Sequence, residues 1–136
     1  MFDSLPPGAH TWTEDERELA EIVLGGETVV VNVRKGGPHK HFVPWLMEAG
    51  LLTYVGRAGR RHAWPGSDWG NPFVGLRGNR EEMVRRYREW LPSRTVLMRR
   101  LSEGELTGRA LGCWCAPEPC HADILAEYAE NAGHRR

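Results

Sequence analysis

The residues best able to do chemistry crowd into one stretch, Leu111-Gly-Cys-Trp-Cys-Ala-Pro-Glu-Pro-Cys-His-Ala-Asp123. Cys113, Cys115 and Cys120 are the only cysteines in the chain. An odd set of thiols behind no signal-peptide core points away from a disulfide framework and toward metal, a reactive thiol or buried packing. Cys113, Cys115, Cys120 and His121 are all competent tetrahedral zinc ligands, although the single residue between the first two is a tighter gap than zinc knuckles use. A thiol of lowered pKa at Cys120, at a helix start and beside His121, would serve as a nucleophile or redox centre. The plain alternative packs the cysteines as small apolar side chains, with Cys120 and His121 bound to backbone or ligand. If an extended strand runs through 109–115, alternation puts Cys113 and Cys115 on one side and Trp114 on the other.

A second loaded segment runs from Tyr54-Val-Gly-Arg57 to Ser67-Asp-Trp-Gly-Asn-Pro-Phe73. Gly56 lets the backbone turn sharply off a strand, and Arg57 projects a planar cation suited to phosphate or carboxylate. Asn71, held extended before Pro72, could offer its amide to a base edge. Trp69, followed by Gly70, could stack on a ring. The bland version makes Trp69 and Phe73 core plugs, ties Asn71 to the loop backbone, and pairs Arg57 with a carboxylate.

These segments need elements to position them. Residues 1–12, with Pro6, Pro7 and Gly8, read as a flexible leader. A single α/β domain is expected over 13–132, followed by a tail at 133–136. Thr13 and Glu16 have the spacing of a capping box, Leu19, Ile22 and Val23 form an apolar stripe, and Gly25-Gly26 ends that helix. The β-branched run at 28–33 reads as a buried strand. A loop with His39 and His41 leads to a short helix over 43–48, and a second strand covers 52–55. Residues 56–79 form a long irregular stretch whose glycines and aromatics suggest function rather than disorder. Asn79 caps a helix carrying Met83, Tyr87 and Trp90 and stopped by Pro92. Further elements are a helix over 95–102, a third strand over 109–115, and a last helix after Pro119 carrying Ile124, Leu125 and Tyr128. Strands separated by helices, without hairpin signals, predict an α/β layered domain with a short, mostly parallel sheet flanked by helices. Ligands of such sheets gather beyond the carboxyl ends of the strands, where both loaded segments leave.

Composition narrows the function classes. The 136 residues carry 18 cations and 18 acids, so the net charge is zero and 40% of residues are hydrophobic. This suffices for one domain with a core and argues against holding nucleic acid or membrane by bulk charge. Only Lys35 and Lys40 among the cations are lysines. The arginines keep individual anion sites open, although a GC-rich genome produces the same bias. No apolar run approaches the roughly 20 residues that span a bilayer, so the expected location is the cytoplasm.

The segments Tyr54-Val-Gly-Arg57, Trp69-Gly-Asn-Pro-Phe73 and the cysteine stretch through Leu125, together with 29–34, Arg80, Tyr87 and Leu91, resemble the family catalogued as domain of unknown function 4326. That family is scattered through bacteria and phages, and the match covers roughly 28–130. The resemblance implies a small three-layer Rossmann-like domain. The final strand–Cys–His–helix element is also similar to that of another uncharacterised family suspected in nucleic-acid or nucleotide processing. The sequence departs from the family in its N-terminal helix and in the insertion around 35–52, which would suit homo-oligomer contacts or substrate choice. Asp68 falls at a position that varies in the family.

The leading expectation is an enzyme on nucleosides, nucleotides or a modified base, with N-glycosidic bond hydrolysis or transfer as the reaction. Arg57 and Arg80 would hold phosphate, and Trp69 and Asn71 the base. Asp123 or Asp68 would be the general acid/base or oxocarbenium stabiliser, with Cys120 and His121 lining an anion-facing helix start. No cofactor is needed in that scheme. The alternatives are a non-catalytic nucleotide or nucleic-acid binding module, with Arg85, Arg86, Arg88, Arg99 and Arg100 as a basic face, and a zinc-stabilised adaptor. Nucleic acid is the less favoured partner, because surface arginines usually pair with nearby acids such as Glu81, Glu82 and Glu89.

Overall fold

The computed structural model describes residues 5–57, 64, 66–73 and 79–134. Parts of the expected leader (1–4), of the irregular loop (58–63, 65 and 74–78) and of the tail (135–136) lie outside the described residues. Within the leader, Ala9–Thr11 form a single 3-10 turn, and Trp12 is buried against Phe42 with ring centroids 5.3 Å apart.

Helix α1, Glu14–Leu24, opens on a complete capping box: Glu16 N–H donates to Thr13 Oγ1 and Thr13 N–H to Glu16 Oε1. Strand β1 is Val29–Asn32, helix α2 is Phe42–Ala49 and strand β2 is Leu52–Tyr54. Helix α3, Arg80–Trp90, is capped by Asn79 Oδ1, which accepts from Glu82 N–H. A 3-10 turn over Leu91–Ser93 stands where Pro92 stops the helix. Helix α4 is Thr95–Ser102, strand β3 is Ala110–Cys113 and helix α5 is His121–His134.

The sheet order is β1-β3-β2, with both pairs parallel. The last strand is therefore central, registered Val29 to Ala110 on one side and Leu52 to Ala110 on the other. All four residues of β3 are buried, as a central strand covered on both faces requires. Leu111 and Cys113 pack into a core with Tyr87, Leu91, Leu101, Ile124 and Leu125 from α3, α4 and α5 and the turn after α3. Ala110 joins the opposite core with Trp12, Val23, Val31, Phe42 and Leu46. The result is a helix–sheet–helix sandwich, the three-layer α/β arrangement with a parallel sheet. Gly112 is needed on the crowded face, since a Cβ there would lie 2.7 Å from Val33 Cγ1.

Candidate functional site

All three strands run the same way, so their carboxyl ends share one edge. Val55, Cys113 and the start of α5 meet there. His121, on the first turn of α5, is buried, and its Nε2 lies 2.7 Å from the carbonyl oxygen of Val55. That contact assigns the ring proton to Nε2 and leaves Nδ1 to face Cys120 Sγ at 3.5 Å. Burial lowers the His121 pKa against the opposing Val55 hydrogen bond, so the ring is neutral. Tyr87 meets its edge at a centroid distance of 5.1 Å.

Cys120 immediately precedes α5 and acts as its cap. Its sulfur accepts from Ala122 N–H at 3.4 Å, while Asp123 Oδ2 reaches back to accept from Cys120 N–H at 2.9 Å. This is the reciprocal logic of a capping box with a thiol in place of the hydroxyl. Burial raises the Asp123 pKa, with Glu127 adding to it and the Cys120 N–H opposing.

The three sulfurs are neighbours. Cys120 is hydrogen-bonded to both Cys113 and Cys115. Cys113 is buried in the core beneath α5 with Cys115 packed against it, and Trp114 packs on the opposite face, although the strand that would alternate them ends at Cys113. The chain leaves β3 after Cys113 because Asn32 of β1 donates its side-chain amide to Ala116 O at 2.8 Å. The Cys115 thiol is drawn down to about 6 by the hydrogen bond from Cys120 and by the guanidinium of Arg80, with Arg34 contributing charge. The Cys120 thiol is pushed up, because it is hydrogen-bonded to two other sulfurs and buried. The low-pKa thiol expected at Cys120 is therefore found at Cys115.

Arg80, at the start of α3, reaches the cysteine segment. It hydrogen-bonds to Cys115, and its Nη1 donates to Pro119 O at 3.4 Å. Arg57 is exposed beside Val55 and Gly56. Gly56 is held tightly, since a Cβ there would lie 2.6 Å from Tyr54 Oη. That hydroxyl donates to Arg57 O and accepts from Trp114 Nε1 at 2.6 Å.

The remaining expected residues are committed elsewhere. Trp69 is buried, its carbonyl accepts from Tyr87 Oη at 2.8 Å, and Arg100 covers its ring at 4.7 Å. Asn71 is also buried, donating to Met83 O and accepting from Phe73 N–H. Gly70 packs near Arg57 Cγ. Asp68 pairs with Arg100 at 3.0 Å and borders a cleft of about 460 Å³ with Trp90, Arg94 and Leu97 rather than the thiols. On α3, Arg85 and Arg86 bind Glu82, and Arg88 binds Glu127 across to α5, which neutralises much of the expected basic face. Among the described residues no group of three or more His, Cys, Asp or Glu side chains is arranged to hold a metal ion.

Two contributors were not foreseen in the sequence. Arg34 closes the 29–34 segment of the resemblance but carries no expected role there, and it acts on Cys115 through the β1–β3 pairing. Asn32 left one signal, a polar residue inside a β-branched run.

The model of the family described as "Domain of unknown function (DUF4326)" matches residues 45–131. The chain belongs to that family. The match runs from within α2 through most of α5 and so contains the thiol cluster, Arg80 and Gly56, while Asn32 and Arg34 lie before it. The chain is also 37% identical over 70 residues to the "Uncharacterized 12.4 kDa protein in nrdA-td intergenic region" of Enterobacteria phage T4. The alignment covers 45% of this chain and 58% of that protein, so the chain spans little more than half the length of this relative. No solved structure matches the chain. Among the described residues no helix is long and apolar enough to cross a membrane.

Proposed function

We propose that this DUF4326 chain is an enzyme acting on a nucleoside- or nucleotide-type small molecule, with hydrolysis or transfer at an N-glycosidic bond as its reaction. One observation carries this reading: a cation and a carboxyl meet on the Pro119–Cys120 backbone at the carboxyl edge of a parallel sheet, where such folds bind ligands, and the same cation interacts with the Cys115 thiol. Arg80, with Arg34 and Arg57 as further cations, offers a planar fork for phosphate. Asp123, its pKa raised, is suited to give its proton to the departing base as the C1′–N bond breaks, and water or an acceptor hydroxyl then bonds to C1′. Cys115 supplies negative charge toward the oxocarbenium-like carbon. No metal enters this scheme.

The test is incubation of the purified chain with purine and pyrimidine nucleosides and their 5′-monophosphates, followed by chromatography for free base. Release is expected from at least one compound, falling by about 100-fold or more in Asp123→Asn with circular dichroism unchanged. Absence of release across the panel, or full activity in that variant, overturns the enzymatic reading.

A second reading, nucleotide binding without turnover, is favoured by the commitment of Asp123 Oδ2 to the α5 cap. Its signature is a nucleotide-dependent rise in melting temperature, lost in Arg80→Gln, without base release.

A further inference from the structure

The sulfur cluster has an order from solvent inward. Cys115 is half-buried, whereas Cys120 and Cys113 are 3% and 1% exposed. A dissolved reagent therefore reaches Cys115 first, and Cys120 lies in the buried cluster against which Cys115 packs. The Arg80 guanidinium, in contact with the Cys115 sulfur, stabilises the anion that thiol exchange requires. None of the three cysteines is bridged to another, so each has a thiol to offer.

We propose that Cys115 and Cys120 form a thiol–disulfide pair that reacts with low-molecular-weight disulfides, Cys115 as the attacking sulfur and Cys120 as the resolving one. In the first step the Cys115 thiolate bonds to one sulfur of the external disulfide, whose S–S bond breaks and releases one thiolate. Cys120 then bonds to the Cys115 sulfur, its proton passing to the thiolate released in the first step, and the mixed disulfide breaks to release the second thiolate, which takes a proton from solvent. The two cysteines lose two electrons to form one disulfide, and the external disulfide gains them to become two thiols. Closure removes the sulfur anion from Arg80 and alters the sulfur that caps α5, so the oxidation state governs the same strand-end site. The pair does not depend on the substrate proposed above.

The experiment treats the full chain with glutathione disulfide, quenches in acid, unfolds, alkylates with N-ethylmaleimide and reads the intact mass. Wild type is expected to lose two of its three alkylatable thiols without retaining glutathione, and to recover both on reduction with dithiothreitol. Cys113→Ser is expected to lose both remaining thiols, while Cys115→Ser closes no internal bond. Three alkylated thiols in wild type, stable glutathione adducts in place of a bridge, or closure in Cys115→Ser would each overturn the proposal. Cys113→Ser, its fold checked by circular dichroism, carries the assignment even where replacing buried Cys120 unfolds the chain.

Discussion

At Cys115 the neighbours decide the chemistry. The sulfur lies between a hydrogen bond from Cys120 and the Arg80 guanidinium, and both favour the thiolate, bringing its pKa to about 6. Cys120 is enclosed and hydrogen-bonded to two sulfurs, so it keeps its proton. Alkylation by iodoacetamide should therefore modify one thiol much faster than the other two, with the fast rate half-maximal near pH 6. Replacing Arg80 with Gln removes one of the two causes and should move that midpoint upward. A fast-phase midpoint near the ordinary 9, or one indifferent to Arg80, would contradict this electrostatic account. The cysteine stretch was legible as a candidate because its residues are adjacent in sequence. The order of acidity within it was not, because it depends on Arg80 and Arg34, brought in by α3 and by the end of β1.

At the scale of elements, Glu16 joins two helices. Its Oε1 accepts from Thr13 N–H in the α1 capping box, and its Oε2 accepts from His41 N–H at 2.8 Å and Phe42 N–H at 2.9 Å, at the start of α2. His41 Nδ1 lies 3.0 Å from Oε1. The carboxylate is fully buried, and burial alone would raise its pKa, yet these hydrogen bonds outweigh it and hold the value below 4.5. Glu16→Ala strands several backbone donors and should cost about 3 kcal/mol in urea unfolding at neutral pH. The sign with pH follows from the lowered value. The contribution is complete above the unfolded pKa and fades as pH falls through the folded one, so the gap between wild type and Glu16→Gln should narrow below pH 4.5. A gap constant from neutrality to about pH 3 would show that charge is not what joins the helices. The capping half of this arrangement was legible, since Thr13 and Glu16 are three residues apart, and Asn79 with Glu82 repeats the signal. The α2 half was hidden, because it spans a loop with no fixed spacing. The sequence predicts a strand to 115 where β3 ends at Cys113 for a similar reason: the Asn32 amide that draws the chain out of the sheet comes from another strand.

At the scale of the whole molecule, the described residues form two cores separated by one thin sheet. Trp12 and Trp45 report on the core of α1 and α2, and Trp69 and Trp90 on the core of α3, α4 and α5. Each core is small, and β3 serves both, sending Leu111 into one and Ala110 into the other. Since among the described residues β1 and β2 pair only with β3, neither core retains its sheet once the other releases that strand. The two halves should therefore unfold together. Leu46→Ala and Leu125→Ala empty fully buried positions on opposite faces, and each should cost about 2–5 kcal/mol. In each variant the loss should appear at one denaturant midpoint shared by far-UV circular dichroism and tryptophan fluorescence. If Leu46→Ala instead produced an early fluorescence transition while the circular dichroism of α3 to α5 persisted, the helices beyond β2 would form a unit stable without the first face. Coincident midpoints in both variants would mean that the short central strand couples the strand-end thiols on one face to the Glu16 junction on the other.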